Sequence, residues 1–271
     1  MLRIWSFCTI FIFLSVAYSA KGQEISGGSP LERALRWERL AYSSDDQAVV
    51  DSALLRKALC YGEAALPGEA LRTLDRIRLY MLESDKVSEV LLLKSRFSRE
   101  AGDMGAALGF LEESGCAEEH PGEYAVLLAA SRRFPESKEY ALACASTAAG
   151  KDKVTELFRK APGLRKESTA AILSFLPPAG QIYLGRPLEG IALMLLNAGA
   201  VGFTVMELVG HDWITGLLGG GLLLNETFFK WNMERNISDV EAFNSRSAEE
   251  FAQSLDYLLN HSIQGSGNRP D

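Results

Sequence analysis

Apolar positions recur three and four residues apart across residues 30–160. Leu71, Leu74, Ile77 and Met81 form one stripe, Met104, Ala107, Leu108 and Leu111 another, and Tyr124, Leu127 and Leu128, continued by Ser131, a third. That spacing places each set on one helix face, so it predicts amphipathic helices packing inward. Pro67-Gly68, Gly102-Asp103, Pro121-Gly122 and Phe134-Pro135 punctuate the stripes as turns. Helices joined by such short links pack as antiparallel pairs.

The pattern changes beyond Gly150. Lys151–Lys166 is basic, and after Ala170–Leu176 and a proline pair come two apolar runs. Gly190–Met206 is broken only by Asn197 and Thr204. Trp213–Leu224 is extended by Phe228, Phe229 and Trp231. Counted from Leu188 to Val209, with Glu189 and Glu207 at its ends, the first run reaches the ~20 residues that cross a bilayer. The second does so only with Asn225 and Glu226, where Lys230 one helical turn on would offset the Glu226 charge. The link Gly210-His211-Asp212 is tight, so the runs predict a transmembrane hairpin. Ala198 with Gly202 and Gly216 with Gly220 would be its small-residue contact faces. A buried hairpin in a soluble protein is the alternative. Asn197, Glu207 and Glu226 are the candidate intramembrane polar residues.

At the other end, Arg3 precedes an apolar core from Ile4 to Val16 and the small residues Ala17, Ser19 and Ala20. This is the layout of a secretory signal peptide over residues 1–22, with an uncleaved signal anchor as the alternative. Export puts residues 23–168 outside the cytoplasm. The basic run before the hairpin favours the opposite side by charge bias, but long domains translocate largely regardless of charge. A hairpin that dips into the membrane without crossing would reconcile the two. After the hairpin, Ser238-x-x-Glu241 and Ser247-x-x-Glu250 are capping-box signatures, and Phe251, Leu255, Leu258 and Leu259 form a stripe. Residues 236–271 therefore read as a short amphipathic helix with a disordered tail from Gln264.

A shift of 37 residues superposes Leu54, Leu55, Gly68, Ala70, Leu71 and Leu74 on Leu91, Leu92, Gly105, Ala107, Leu108 and Leu111. Such a period indicates stacked helix–turn–helix units. Here the chain resembles tetratricopeptide repeats: Leu54, Ala58, Tyr61, Ala70 and Leu74 match that family's positions, as do Leu91, Ser95, Ala107 and Leu111. Ser98 replaces the aromatic, Lys57 and Lys94 stand where an apolar residue is usual, and the flanking units around Leu31–Val50 and Tyr124–Ala149 match poorly. The resemblance implies a concave groove that binds peptide or protein segments. A non-repetitive bundle is the alternative.

Leu176-Pro177-Pro178-Ala179-Gly180-Gln181-Ile182-Tyr183-Leu184-Gly185-Arg186 leads into the first apolar run. The prolines end any helix coming from Ala170. Gln181 is suited to satisfying freed backbone groups, Tyr183 to a headgroup layer and Arg186 to snorkelling outward; Gly185 and Gly190 allow close approach. This stretch is similar to bacterial envelope proteins carrying Leu-Pro-Gly-x-Gly-Gln-x-Tyr-x-Gly-Lys/Arg before a membrane hairpin, and more distantly to two-helix transmembrane domains. Leu176, Pro177, Gly180, Gln181, Tyr183, Gly185, Arg186 and Gly190 match, Pro178 departs, and Asn236, Ala242, Phe243 and Asn244 fit that family's closing residues. The resemblance implies a membrane hairpin and no enzyme activity.

Among 271 residues, 28 Lys and Arg stand against 35 Asp and Glu, a net charge of −7. Removal of residues 1–22 takes Arg3 and Lys21 and leaves 26 − 35 = −9. An acidic chain is repelled by phosphates of nucleic acid, so nucleic acid is excluded as a partner. Cys60, Cys116 and Cys144 read as small buried hydrophobes. His120, His211 and His261 stand apart, and no catalytic or phosphate-loop motif occurs, so no catalytic residue, metal or cofactor is expected. The expected fold is all-α: a tetratricopeptide-like helical domain over 23–168, a membrane hairpin domain over 169–235 and a tail helix. The expected function is a non-enzymatic, membrane-attached envelope adaptor. Its helical domain lies outside the cytoplasm, and its partners are envelope proteins, the lipid bilayer and a second copy through the glycine-rich hairpin. The alternative is an oligomerising hairpin or small-solute channel.

Overall fold

The computed structural model describes residues 27–175, 178–220 and 230–263. Among these, every regular element is helical and none is a strand. The expected signal peptide and disordered tail lie outside the described residues, as do Pro177, Glu226 and most of the second apolar run. The chain divides into two compact units, Met1–Leu127 and Leu128–Asp271.

The first unit contains α1 (Pro30–Ser43), α2 (Gln47–Glu63), α3 (Pro67–Leu74), α4 (Ser84–Glu100), α5 (Met104–Ser114) and the start of α6 (Pro121–Ala130). Helix starts therefore recur at 30, 67 and 104, and again at 47, 84 and 121, each 37 residues apart. Two units of this period are legible in the sequence, and the helix boundaries extend it to three. One register position of this period is filled by Asp51, Ser88 and Ala125 in turn. Burial tolerates that variety because each polar version is satisfied. Asp51 accepts from Gln47 at 2.8 Å, and the Ser88 hydroxyl donates to the Ser114 carbonyl at 2.9 Å.

Capping sets the boundaries. Ser29 and Glu32 form a capping box at α1, and the Asp46 and Asp103 side chains cap α2 and α5. After α2 and α4 the chain stops in the same way. Leu66 N–H bonds to Tyr61 C=O and Asp103 N–H to Ser98 C=O, around the left-handed residues Ala65 (φ 55°) and Gly102 (φ 87°). This is the Schellman stop. Ala41, Ala53, Leu54, Ala58, Ala70, Leu74, Ile77, Val90 and Phe97 make the core of this unit. Lys57 and Lys94, the departures from the repeat pattern, are buried with paired ammonium groups: Lys57 reaches Glu38 at 2.8 Å and Lys94 reaches Asp75 at 2.7 Å. Glu38 and Asp75 are themselves 37 positions apart, so the two ion pairs repeat with the helices.

The second unit comprises the end of α6, then α7 (Phe134–Cys144), α8 (Ala148–Arg159), α9 (Glu167–Ser174), α10 (Ala179–Tyr183), α11 (Pro187–Val209), α12 (Trp213–Thr215) with a π-turn Gly216–Gly220, and α13 (Trp231–Leu258). Phe251 of α13 packs edge-on against Phe134 of α7 at 5.3 Å and Phe158 of α8 at 5.0 Å. These contacts join α7 and α8 to the C-terminal helix within the second unit. The tail helix is also longer than expected. α13 runs 28 residues straight through both capping-box signatures. The glutamates have other partners: Glu241 takes a two-pronged bond from Arg132 at 2.8 and 2.6 Å, and Glu250 accepts from Arg246 at 2.9 Å.

Among the described residues one helix is long and apolar enough to cross a membrane. It is α11, with 23 residues, and only 6 % of its most apolar window is buried. It too ends at a Schellman stop, where Asp212 N–H bonds to Glu207 C=O. The left-handed residue there is His211 (φ 69°), not the adjacent Gly210. The turn sends the chain back, so Gly216 lies against Thr204, Glu207 and Leu208 and Gly219 against Phe203. Gly216, from one of the two expected small-residue faces, is thus in contact, while a Cβ on Gly202 from the other, or on the neighbouring Gly199, would meet nothing within 4 Å.

Candidate functional site at the entry to the apolar helix

α9 ends at Ser174, and α10 starts after Pro178, whose ring supplies its N-terminal boundary. α10 is one turn long and closes with another Schellman stop: Arg186 N–H bonds to Gln181 C=O at 2.7 Å around Gly185 at φ 78°. That stop turns the chain directly into α11, for which Arg186 is the N-cap residue. Two further glycines are there for proximity. A Cβ on Gly180 would lie 2.7 Å from Asn236 Nδ2, and one on Gly190 would lie 2.6 Å from Pro178 Cβ and 3.1 Å from the Pro178 carbonyl.

Behind these glycines lies a buried polar cluster. Gln181 Nε2 donates to Asn232 Oδ1. Asn232 Nδ2 donates to the Ser174 carbonyl at 3.2 Å, and Asn236 Nδ2 donates to the Ser174 hydroxyl at 2.7 Å. The Ser174 hydroxyl in turn donates to the Ala170 carbonyl at 2.7 Å. Gln181 therefore bonds a side chain, not the backbone groups freed by the prolines. Asn232 and Asn236 belong to a buried stripe of α13 that continues through Val240, Asn244 and Ala248. A stripe at four-residue spacing with asparagine at three of these five positions is a signal the sequence carries, and it points to Asn232.

A second layer fixes the preceding loop. The Asn244 amide accepts from Arg165 N–H at 2.8 Å and donates to Arg165 C=O at 2.9 Å, so one side chain satisfies both backbone groups of Arg165. Tyr183 O accepts from Lys166 N–H at 3.0 Å, which occupies the hydroxyl assigned by sequence to a headgroup layer. The Arg165 guanidinium rests 3.6 Å from the Phe243 ring centroid. On the outer edge, Arg186 pairs with Asp239 at 2.7 Å and Arg235 with Glu189 at 3.0 Å, with Arg235 to Asp239 at 3.9 Å completing an alternating network. Arg186 is thus tied to α13 rather than extended outward alone. No family model, curated protein or solved structure matches the chain.

Gly180, Gln181, Tyr183, Gly185, Arg186 and Gly190 are therefore brought together, with Asn236, Phe243 and Asn244 from the far end of the motif. Asn197 and Glu207 are not. They lie ten residues apart on α11, about 15 Å along its axis. Asn197 Nδ2 is turned back onto the Leu193 carbonyl at 2.7 Å. Elsewhere, Cys60, Cys116 and Cys144 are free thiols, and burial pushes the Cys60 and Cys144 thiols up, away from the reactive thiolate. Among the described residues no three His, Cys, Asp or Glu side chains come together as a metal site. The junction is built of amides, guanidinium groups and carboxylates, chemistry suited to positioning and recognition.

Proposed function

We propose that this protein is a non-enzymatic, membrane-attached adaptor of the cell envelope, with α11 inserted in the bilayer and the 37-residue helix pairs forming a tetratricopeptide-like surface for protein segments. The observation that carries the reading is the exposure of α11. Leu188, Leu195, Leu196, Val205, Met206 and Val209 are each at least 53 % exposed along one 23-residue helix. Apolar surface on that scale is unfavourable in water, and lipid is the solvent it fits. The repeating Schellman stops and the repeating ion pairs of the buried lysines Lys57 and Lys94 support the stacked-unit half. The test is carbonate extraction of membranes from cells making the full chain, with protease added to intact spheroplasts. Retention in the pellet with external cleavage of the helical unit is the expected result; release into the soluble fraction refutes it.

A second reading, an oligomerising membrane component, draws support from Gly199 and Gly202. They leave one side of α11 open to a close-packed helix of another copy. Gly202→Leu would abolish a crosslinked dimer in membranes on that reading and leave the species unchanged on the first.

A further inference from the structure

The outer face of the junction holds a cleft of about 220 Å³ lined by Arg165, Leu184, Arg186, Asp239, Ala242, Phe243 and Arg246. Three guanidinium groups meet one carboxylate there. The contrast with the rest of the chain is sharp, because the protein as a whole carries −7. Asp239 is already engaged by Arg186, and Glu250 binds Arg246 from outside the lining. Arg165 has no carboxylate within ion-pair distance among the described residues. It is also held in place. Asn244 pins its backbone at both groups, and Phe243 supports its guanidinium plane. A cation held in place before its ligand arrives loses little freedom on binding.

We infer that this cleft binds a phosphate group. Guanidinium forks match phosphate oxygens in pairs, and Arg165 and Arg246 can each present one. The volume is below the ~300 Å³ at which pockets for drug-sized ligands begin, which suits a phosphate head and not a larger anionic ligand. Leu184 and Ala242 provide an apolar edge beside the head. Arg186 is the residue immediately before α11, so the cleft stands where the apolar helix begins. With α11 in a bilayer, that level is the headgroup layer, and the phosphate is that of an anionic phospholipid. The lipid source rests on the membrane reading; the phosphate chemistry of the cleft does not.

The full chain, purified in a neutral maltoside detergent, is titrated calorimetrically with dihexanoyl phosphatidylglycerol, dihexanoyl phosphatidylcholine and inorganic phosphate. Saturable binding of the phosphatidylglycerol is expected, weakened about tenfold or more in the Arg165→Gln/Arg246→Gln variant and unchanged in Arg159→Gln, which removes a charge outside the cleft. Should the double variant not fold, Arg246→Gln alone serves, because that side chain is 82 % exposed and its loss leaves the packing intact. Inorganic phosphate binding as tightly as the lipid, with the same loss in the variant, upholds the phosphate site and assigns it a soluble source. No saturable binding of any of the three, or equal losses in Arg159→Gln, overturns the inference. Carbonate extraction of the double variant separates the two readings, since α11 is untouched and membrane retention is expected to persist.

Discussion

Three glycines of α11 give a direct test of the packing at its entry, because one substitution is predicted to have opposite signs along a single helix. Gly→Ala in a helix interior gains up to about 1 kcal/mol from backbone propensity alone. At Gly199 and Gly202 nothing lies within 4 Å of the added methyl, so that gain stands. At Gly190 the methyl would sit 2.6 Å from Pro178 Cβ and 3.1 Å from both the Pro178 carbonyl and Gln181 Cβ. A proline ring and a backbone carbonyl cannot swing aside, so the cost belongs at the upper end of the ~1–3 kcal/mol of overpacked sites. The net effect is about 2 kcal/mol destabilising at Gly190, against neutral to about 1 kcal/mol stabilising at Gly199 and Gly202. Thermal unfolding of the full-length variants, followed by helical circular dichroism at low protein concentration in one detergent, reads the difference. Gly190→Ala as stable as Gly199→Ala would show that α11 does not lie against Pro178, and the junction described above would be wrong.

Asn232→Leu is expected to cost about 1–3 kcal/mol, because it leaves the Gln181 amide and the Ser174 carbonyl without their partner, whereas Asn232→Leu with Gln181→Leu costs less than the sum; denaturant melts of the double-mutant cycle measure this. Ala65→Gly should stabilise by about 1 kcal/mol, since Ala65 holds a left-handed conformation that glycine adopts freely, and a higher melting temperature is the readout. Stability should fall with acid through Glu38 and Glu241. At Glu38 burial raises the carboxyl, but hydrogen bonds and charge from Lys57 and Arg76 outweigh it and hold it below the ordinary 4.5. At Glu241 the Arg132 hydrogen bond does the same. A carboxyl lowered in the folded state contributes fully above its unfolded value and loses that contribution as pH falls through the folded one, so the loss starts near 4.5 and continues below it. Glu241→Gln should flatten that acid limb in a melting-temperature titration; an unchanged limb would count against the Arg132 fork.

The amino-acid pattern by itself determined that the chain is helical, where several of its turns fall, and that one stretch is apolar enough for lipid. These are local properties: spacing on a helix face, caps, proline and glycine punctuation, and uninterrupted apolar length all act over a few residues. Two of the three 37-residue units were legible for the same reason, since leucine and alanine fill their buried positions. Tertiary structure decided what local rules cannot reach. Ser238 and Ser247 look like helix starts, yet α13 runs through them, its buried stripe continuing unbroken past both, and Glu241 is taken by Arg132, more than a hundred residues earlier in the chain. The link Gly210-His211-Asp212 is legible as a tight turn, yet only the structure places its left-handed residue at His211. By sequence Gln181 suits the backbone groups freed by the prolines, and Tyr183 and Arg186 suit lipid and solvent. Their partners Asn232, Lys166 and Asp239 come from distant or differently oriented segments, and only packing brings those polar groups within hydrogen-bonding reach.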